Sequence, residues 1–210
     1  METRYPTSEQ RNILKKLNLI KELNNYDFYL AGGVGLAFYL SHRLSMDLDF
    51  FSNKHFESNE LYEILRKKLN AKIIKIEKET LIVSIDNIPV SFFGYNYPVL
   101  KIENFDFPTA SLEDIGCMKI SAIAGRGMKK DFVDLYEICQ KIDLEYLLRK
   151  FEEKYSEFAI EMYHILKSMI YFEDAETDVV ADADDKYWGK IKGYFIGKVQ
   201  EIIHEFTRLK

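Results

Sequence analysis

Ser45-Met46-Asp47-Leu48-Asp49-Phe50-Phe51 is the stretch from which the fold of this chain can be read. Two carboxylates stand two residues apart among Leu48, Phe50 and Phe51, side chains suited to a strand set in a core. Strand side chains alternate with a period of two, so Asp47 and Asp49 are expected on one face. A buried pair of like charges is costly unless a cation neutralises it. Mg²⁺, with Mn²⁺ as the alternative, is the hard ion that shares such ligands with substrate phosphates. Upstream, across a short apolar segment, Gly32-Gly33 offers backbone N–H groups to those phosphates. The combination predicts a site for phosphoryl or nucleotidyl transfer.

Working outward, Ser8 is expected to cap a first helix with Ile13, Leu14, Leu17, Ile20 and Leu23 on its apolar face, ended by Asn24-Asn25. Phe28-Tyr29-Leu30-Ala31 reads as a short strand entering the glycines, Leu36 to Leu40 as a helix behind them, and 47–51 as the next strand. Leu61, Ile64, Leu65 and Leu69 give 58–69 a helical period. Residues 71–76, 80–85 and 89–93 read as strands, the last two joined by a tight turn at Asp86-Asn87. From Ser111 onward every periodic segment is helical. The order predicts an α/β (α+β) protein: a small mixed-sheet head over residues 1–108 and an α-helical region over 109–210 that completes a cleft. The acidic stretch Glu173 to Asp185 reads as a solvated loop. A last amphipathic helix is expected to bury Trp188, Ile191, Phe195, Val199, Ile202 and Phe206.

Composition narrows the function. Hydrophobic residues are 47% of 210, with 15 Phe and 14 Tyr, enough for a core and too many for a disordered chain. Net charge is −5, so nucleic-acid binding would need a local basic patch. Cys117 and Cys139 fall in apolar helical patterns and read as buried free thiols. His42, His55, His164 and His204 are scattered without zinc-ligand spacing. The polar start Met1-Glu2-Thr3-Arg4-Tyr5-Pro6 and the lack of any apolar run near the about 18 residues of a membrane span predict a soluble, cytoplasmic protein with no membrane partner.

Two helices carry charges where the pattern is apolar. Ser111 and Asp114 resemble a capping box. In the helix they open, Lys119 falls on the arc of Leu112, Ile115, Ala122 and Ile123. Such a lysine either snorkels to solvent or reaches an anion in a cleft. In the helix near Lys130 to Gln140, Asp131 falls on the arc of Phe132, Leu135, Ile138 and Cys139, with Asp134 near its edge. A first-turn aspartate favours the helix dipole, which explains Asp131 alone. Taken with Lys119, Asp47 and Asp49, it is one of several breaks in local pattern of the kind that mark functional sites. Lys119, Arg126, Lys129 and Lys130 form a basic cluster around Gly125-Arg126-Gly127, able to steer a triphosphate or an RNA end or simply to be solvated.

These residues resemble the nucleotidyltransferase-like AbiEii/AbiGii toxin family of the DNA polymerase β-type nucleotidyltransferase superfamily. Leu30-Ala31-Gly32-Gly33-Val34-Gly35-Leu36-Ala37 followed by His42 to Phe51 looks like the family's opening motif. Asp114-Ile115 through Lys119, and Arg126 through Leu135, look like its second block. Tyr171 to Glu176 and Trp188 resemble its C-terminal region. The resemblance implies a Mg²⁺-dependent enzyme moving a nucleoside monophosphate from a nucleoside triphosphate to an acceptor hydroxyl. RNA, a tRNA 3′ end first, is the implied acceptor, and a cognate antitoxin the implied partner. Asp47 and Asp49 would hold the metal. Gly32, Gly33, Ser45 and Lys119 would contact the nucleotide. Asp131 would orient the attacking hydroxyl or take its proton. Arg43, Arg126, Lys129 and Lys130 would contact RNA or phosphate. Where the superfamily commonly has a third metal carboxylate, the strand Val90-Ser91-Phe92-Phe93 places Ser91. The alternatives are a small-molecule or protein acceptor, or a catalytically degenerate partner-binding module.

Overall fold

A computed structural model describes residues 6–157, 161–178 and 183–208, with side chains to residue 205. The chain forms two compact units, Met1–Ile115 and Gly116–Lys210.

The first unit opens with helix α1 (Ser8–Asn18). Its cap is Thr7 rather than Ser8: Gln10 N donates to the Thr7 hydroxyl and Thr7 N to Gln10 Oε1, a reciprocal box that satisfies two helix-end donors. The helix stops at Asn18, and a 3₁₀ turn (Lys21–Asn25) carries Leu23 into the core. Strand β1 (Tyr29–Ala31) runs directly into α2 (Gly32–Ala37), so the glycines open that helix instead of preceding it. Then follow β2 (Leu48–Ser52), α3 (Ser58–Leu69), β3 (Lys72–Glu77), β4 (Thr80–Ile85) and β5 (Ile88–Gly94), close to the sequence expectation. Asp86 and Asn87 both take positive φ, 51° and 64°, as the two-residue β4–β5 turn requires.

Two short strands were not anticipated: β6 (Ile102–Asn104) and β7 (Pro108–Ala110). At three residues each they are too short to show a period. They complete one mixed sheet in the order β3-β4-β5-β2-β1-β7-β6, with β2 parallel to β5, β1 parallel to β7 and the other pairs antiparallel.

One sheet face carries the core. Phe50 stacks on Phe92 at 5.0 Å, and Phe28 meets Phe92 and Phe56 edge-on at 5.0 and 5.1 Å. Leu48, Val90, Leu81, Val83, Ile85 and the apolar stripes of α1 and α3 close around them. Each fully buried side chain of this kind contributes roughly 1.5–3 kcal/mol.

The second unit is helical, and its first helix begins in the unit before: α4 (Leu112–Gly125), α5 (Lys129–Cys139), α6 (Leu144–Lys154), α7 (Met162–Ser168), α8 (Glu173–Glu176) and α9 (Asp185–Arg208). Phe132 of α5 is ringed by Phe172, Trp188 and Phe195 at 5.2–5.8 Å. Trp188, Ile191, Phe195, Val199 and Ile202 are buried as expected, and the Phe206 side chain lies outside the described residues. The acidic stretch is not simply a loop. It starts as α8, where Glu176 accepts from Trp188 Nε1 and from Lys192, while Asp182 lies outside the described residues. Cys117 is buried and Cys139 half-buried; both are free thiols. Among the described residues no helix is long and apolar enough to cross a membrane.

Candidate active site

In the first unit the glycine turn and Asp49 are built against each other. Ala31 pairs with Asp49 across β1 and β2, so the turn that follows Ala31 lies beside that carboxylate. Gly32 has φ +63°, and a Cβ there would come within 2.5 Å of Asp49 Oδ2. A Cβ at Gly33 would come within 2.3 Å of Ser45 Oγ and 3.0 Å of an Arg43 guanidinium nitrogen. Arg43 is itself nearly buried and donates to the Leu44 carbonyl at 2.8 Å. Gly32, Gly33, Arg43, Ser45 and Asp49 therefore come together. The loop that brings them is tied down by Gln10, whose Nε2 donates to the Ser45 and Met46 carbonyls at 2.7 and 3.3 Å. Sequence reasoning missed Gln10. The Thr7-x-x-Gln10 spacing of the capping box was its only trace.

Asp47 departs from the expectation of a buried pair. It precedes β2 by one residue and is exposed, while Asp49 inside the strand is half-buried. β1 and β5 pair with β2 only from Leu48 or Asp49 onward, which leaves Asp47 unpaired on the sheet and open to water. Repulsion between the two carboxylates is correspondingly milder. Ser91 stands where expected: it pairs with Asp49 across β2 and β5 and is 6% exposed. The face next to Asp49 thus presents a hydroxyl. Among the described residues no three His, Cys, Asp or Glu side chains gather as a metal cage. Asp49 and Ser91 share one face of the sheet and Asp47 stands two residues before Asp49, so the donors on offer are all oxygens. That suits Mg²⁺, which is commonly held by one or two carboxylates together with water and substrate phosphates, so these residues fit the ion.

Gly32→Ala combines a left-handed backbone with a 2.5 Å clash on the carboxylate itself. It is expected to cost about 1 kcal/mol or more of stability and to displace the Asp49 carboxylate. Gly35→Ala, whose Cβ would meet neighbours only at 3.5 Å, is the control. Thermal melting of both variants reads the difference.

The second unit carries the other group of residues. Lys119 neither snorkels nor faces solvent. It is 6% exposed and donates to Asp131 Oδ1 at 3.0 Å, and its Nζ lies 2.6 Å from Asp134 Oδ2. Asp134, expected near the edge of its helix, is fully buried, as is Asp131. A lysine on a buried arc thus draws a second carboxylate one turn along α5. Arg126 adds a two-pronged contact, Nε to Asp131 Oδ2 at 2.8 Å and Nη2 to Oδ1 at 2.9 Å. Burial opposes ionisation of Asp131, but the Arg126 hydrogen bonds and the Lys119 charge outweigh it and hold the carboxyl below its ordinary range.

The expected basic cluster is therefore partly consumed. Lys119 and Arg126 face acids, and Lys129 Nζ sits 5.3 Å from the Trp188 ring centroid. Lys130 is half-buried on the first turn of α5. The Gly125–Gly127 segment closes α4: Arg126 N and Gly127 N both donate to Ala122 O, and Gly127 takes φ +56°. Ser111 caps α4 through Asp114 N. The Asp114 carboxylate instead accepts from Leu100 N and Lys101 N, so the box is only half formed.

Comparison with known proteins gives this arrangement its context. A family model described as "Nucleotidyl transferase AbiEii toxin, Type IV TA system" matches residues 13–103 and 82–206. An uncharacterized protein of Aquifex aeolicus (strain VF5) is 39% identical over 203 residues, covering 93% of this chain and 96% of its own length. Among solved structures, the nucleotidyltransferase toxin MenT4 of Mycobacterium tuberculosis H37Rv aligns with TM-score 0.55 and 14% identity, over 93% of this chain and 84% of that chain. ANT(2")-Ia in complex with adenylyl-2"-tobramycin aligns with TM-score 0.52 and 12% identity, over 72% of this chain and 100% of that one. At these identities the two structures speak to the fold alone.

Proposed function

This chain belongs to the AbiEii nucleotidyl transferase toxin family and is a nucleotidyltransferase, and from that premise we propose that it moves a nucleoside monophosphate from a triphosphate to an RNA 3′ hydroxyl. The observation that carries the reading is the glycine turn fitted against Asp49, with Ser45 and Arg43 closing on Gly33. Phosphates seat against the backbone of Gly32-Gly33, where no Cβ intervenes. Ser45 and Arg43 supply a hydroxyl and a cation beside them.

Asp47 and Asp49 would hold the divalent ion, which would offset charge on the phosphates and on the leaving group. The acceptor oxygen attacks the α-phosphorus. The new phosphorus–oxygen bond forms as the bond to the bridging oxygen breaks, and pyrophosphate leaves with that oxygen. Such transfer is chiefly positioning and electrostatics, which Ser45 and Arg43 supply beside the glycine turn. Within the second unit Asp131 holds Lys119 and Arg126 with its two oxygens, and its lowered pKa makes it a poor base for the acceptor's proton. The acceptor's proton passes instead to solvent water. A cognate antitoxin is the partner this family implies.

The test is incubation with Mg²⁺, each α-labelled nucleoside triphosphate and total tRNA, with Asp47→Ala as control. Label on RNA with the unaltered protein and none with the folded variant is the expected result. Equal labelling by both would overturn the assignment of Asp47.

A further inference from the structure

The sheet face opposite the core holds a combination the transfer chemistry does not use. Strand partners lying directly across from one another share a face. Asp49 and Ser91 pair, and two residues further along the same strands Phe51 pairs with Phe93. Two residues along a strand is a step of about 6.6 Å. The rings of Phe51 and Phe93 lie 5.5 Å apart; Phe51 meets Tyr95 at 5.4 Å, and Tyr95 meets Tyr97 at 4.8 Å. All four rings are part-exposed, and none belongs to the buried cluster of the opposite face.

The same face continues across β4 to β3. Ser91 pairs with Ile82 and Ile82 with Lys75, while Pro89 pairs with Ser84 and Ser84 with Lys72. Three residues apart, Lys72 and Lys75 would point to opposite faces of a regular strand. The irregularity between Ile73 and Lys75 brings both to this one. Both are exposed; Lys75 has only an exposed partner, Glu77 at 3.0 Å, a pair worth little in water.

We propose that this face, with Phe51, Phe93 and Tyr95 as a stacking row and Lys72 and Lys75 as phosphate contacts, is the seat of the unpaired 3′ end of the RNA acceptor. The inference rests on the RNA-transferase reading and assigns the acceptor's path within the first unit. Part-exposed aromatic rings accept any base by stacking, and lysines flanking them track the backbone. The order along β2 and β5 is also right. The glycine turn lies at the Asp49 end of β2, and the rings begin on the other side of Asp49. A terminal hydroxyl can thus lie at the carboxylates while its own base stacks on Phe51 and Phe93. It also gives RNA a cationic surface other than Arg126 and Lys129, which are occupied within the second unit.

The experiment is fluorescence anisotropy of a short single-stranded RNA carrying 2-aminopurine as its 3′ base, with Phe51→Leu, Phe93→Leu and Lys72→Gln/Lys75→Gln variants. Leucine keeps the face apolar, and circular dichroism checks folding. Each ring variant is expected to weaken binding about five- to 100-fold and to relieve the quenching of 2-aminopurine. The lysine pair should lower the salt slope by about 1.4. Ring variants that bind within about twofold of the native protein, or a native protein that does not bind the RNA, would overturn the proposal. Mg²⁺-dependent triphosphate binding is measured on the same samples. If it persists while RNA binding fails, only the acceptor platform falls; if the native protein binds no triphosphate, the transferase reading falls with it.

Discussion

Asp49→Asn is expected to lower nucleotidyl transfer by on the order of 10³-fold or more, while the protein stays folded. An amide keeps the shape of the side chain beside Gly32, where an added Cβ would come within 2.5 Å of it, so the turn is preserved and only a charge is lost. Charge neutralisation of transferring phosphates contributes several kcal/mol to such reactions, and each 1.36 kcal/mol is about tenfold in rate. A second readout separates this from a merely structural role. Mg²⁺ bound to the folded state raises the melting temperature through mass action. That rise should be present in the native protein and absent from Asp49→Asn. Without Mg²⁺ the variant should melt at or slightly above the native temperature, because one of two neighbouring carboxylates is gone. A Mg²⁺-induced rise in Asp49→Asn equal to that of the native protein would overturn the metal assignment. Asp47→Ala should lose transfer similarly at almost no cost in stability, since Asp47 is exposed.

The head of the fold was legible because its signals are local. The alternation in β4 and β5, the helical period of α3 and the positive-φ pair Asp86-Asn87 are each written in consecutive residues. The position of Ser91 beside Asp49, on a parallel strand distant in sequence, was legible only through the family resemblance. What was not legible depends on the third dimension. β6 and β7 are set by pairing with one another and with β1, and three residues carry no period of their own. Asp47 and Asp49 look equivalent in sequence, yet one strand boundary exposes the first and half-buries the second. Gln10 reaches across 35 residues to hold the Ser45 carbonyl, a link no pattern announces. Lys119 was recognisable as misplaced, but which acids answered it was not. Asp134 reads as an edge residue because helical phase alone does not say how wide the buried arc is, and it is fully buried.

That buried group supplies the second large effect. Lys119→Met should destabilise the protein by about 3–5 kcal/mol at neutral pH, the cost of breaking a buried ion pair from one side. Asp131 retains Arg126, but Asp134 loses the ammonium 2.6 Å from its carboxylate and stays fully buried. Converting that carboxylate to a neutral amide should relieve the loss. Lys119→Met/Asp134→Asn is therefore expected to be more stable than Lys119→Met alone, a coupling that a double-mutant cycle measures directly. Additive losses would mean that the 2.6 Å contact contributes nothing. Acid titration of Asp131 gives a separate check with a definite sign. Its folded pKa lies below the ordinary value of 3.8. Its stabilising contribution is therefore complete above that value and is lost as pH falls through the lower folded pKa. Native stability should decline in that acid window. In Asp131→Asn this part of the decline should vanish, leaving a shallower curve. An unchanged slope in the variant would show that the Arg126–Asp131–Lys119 contacts do not hold the carboxyl ionised, and would restore Asp131 as a candidate proton acceptor.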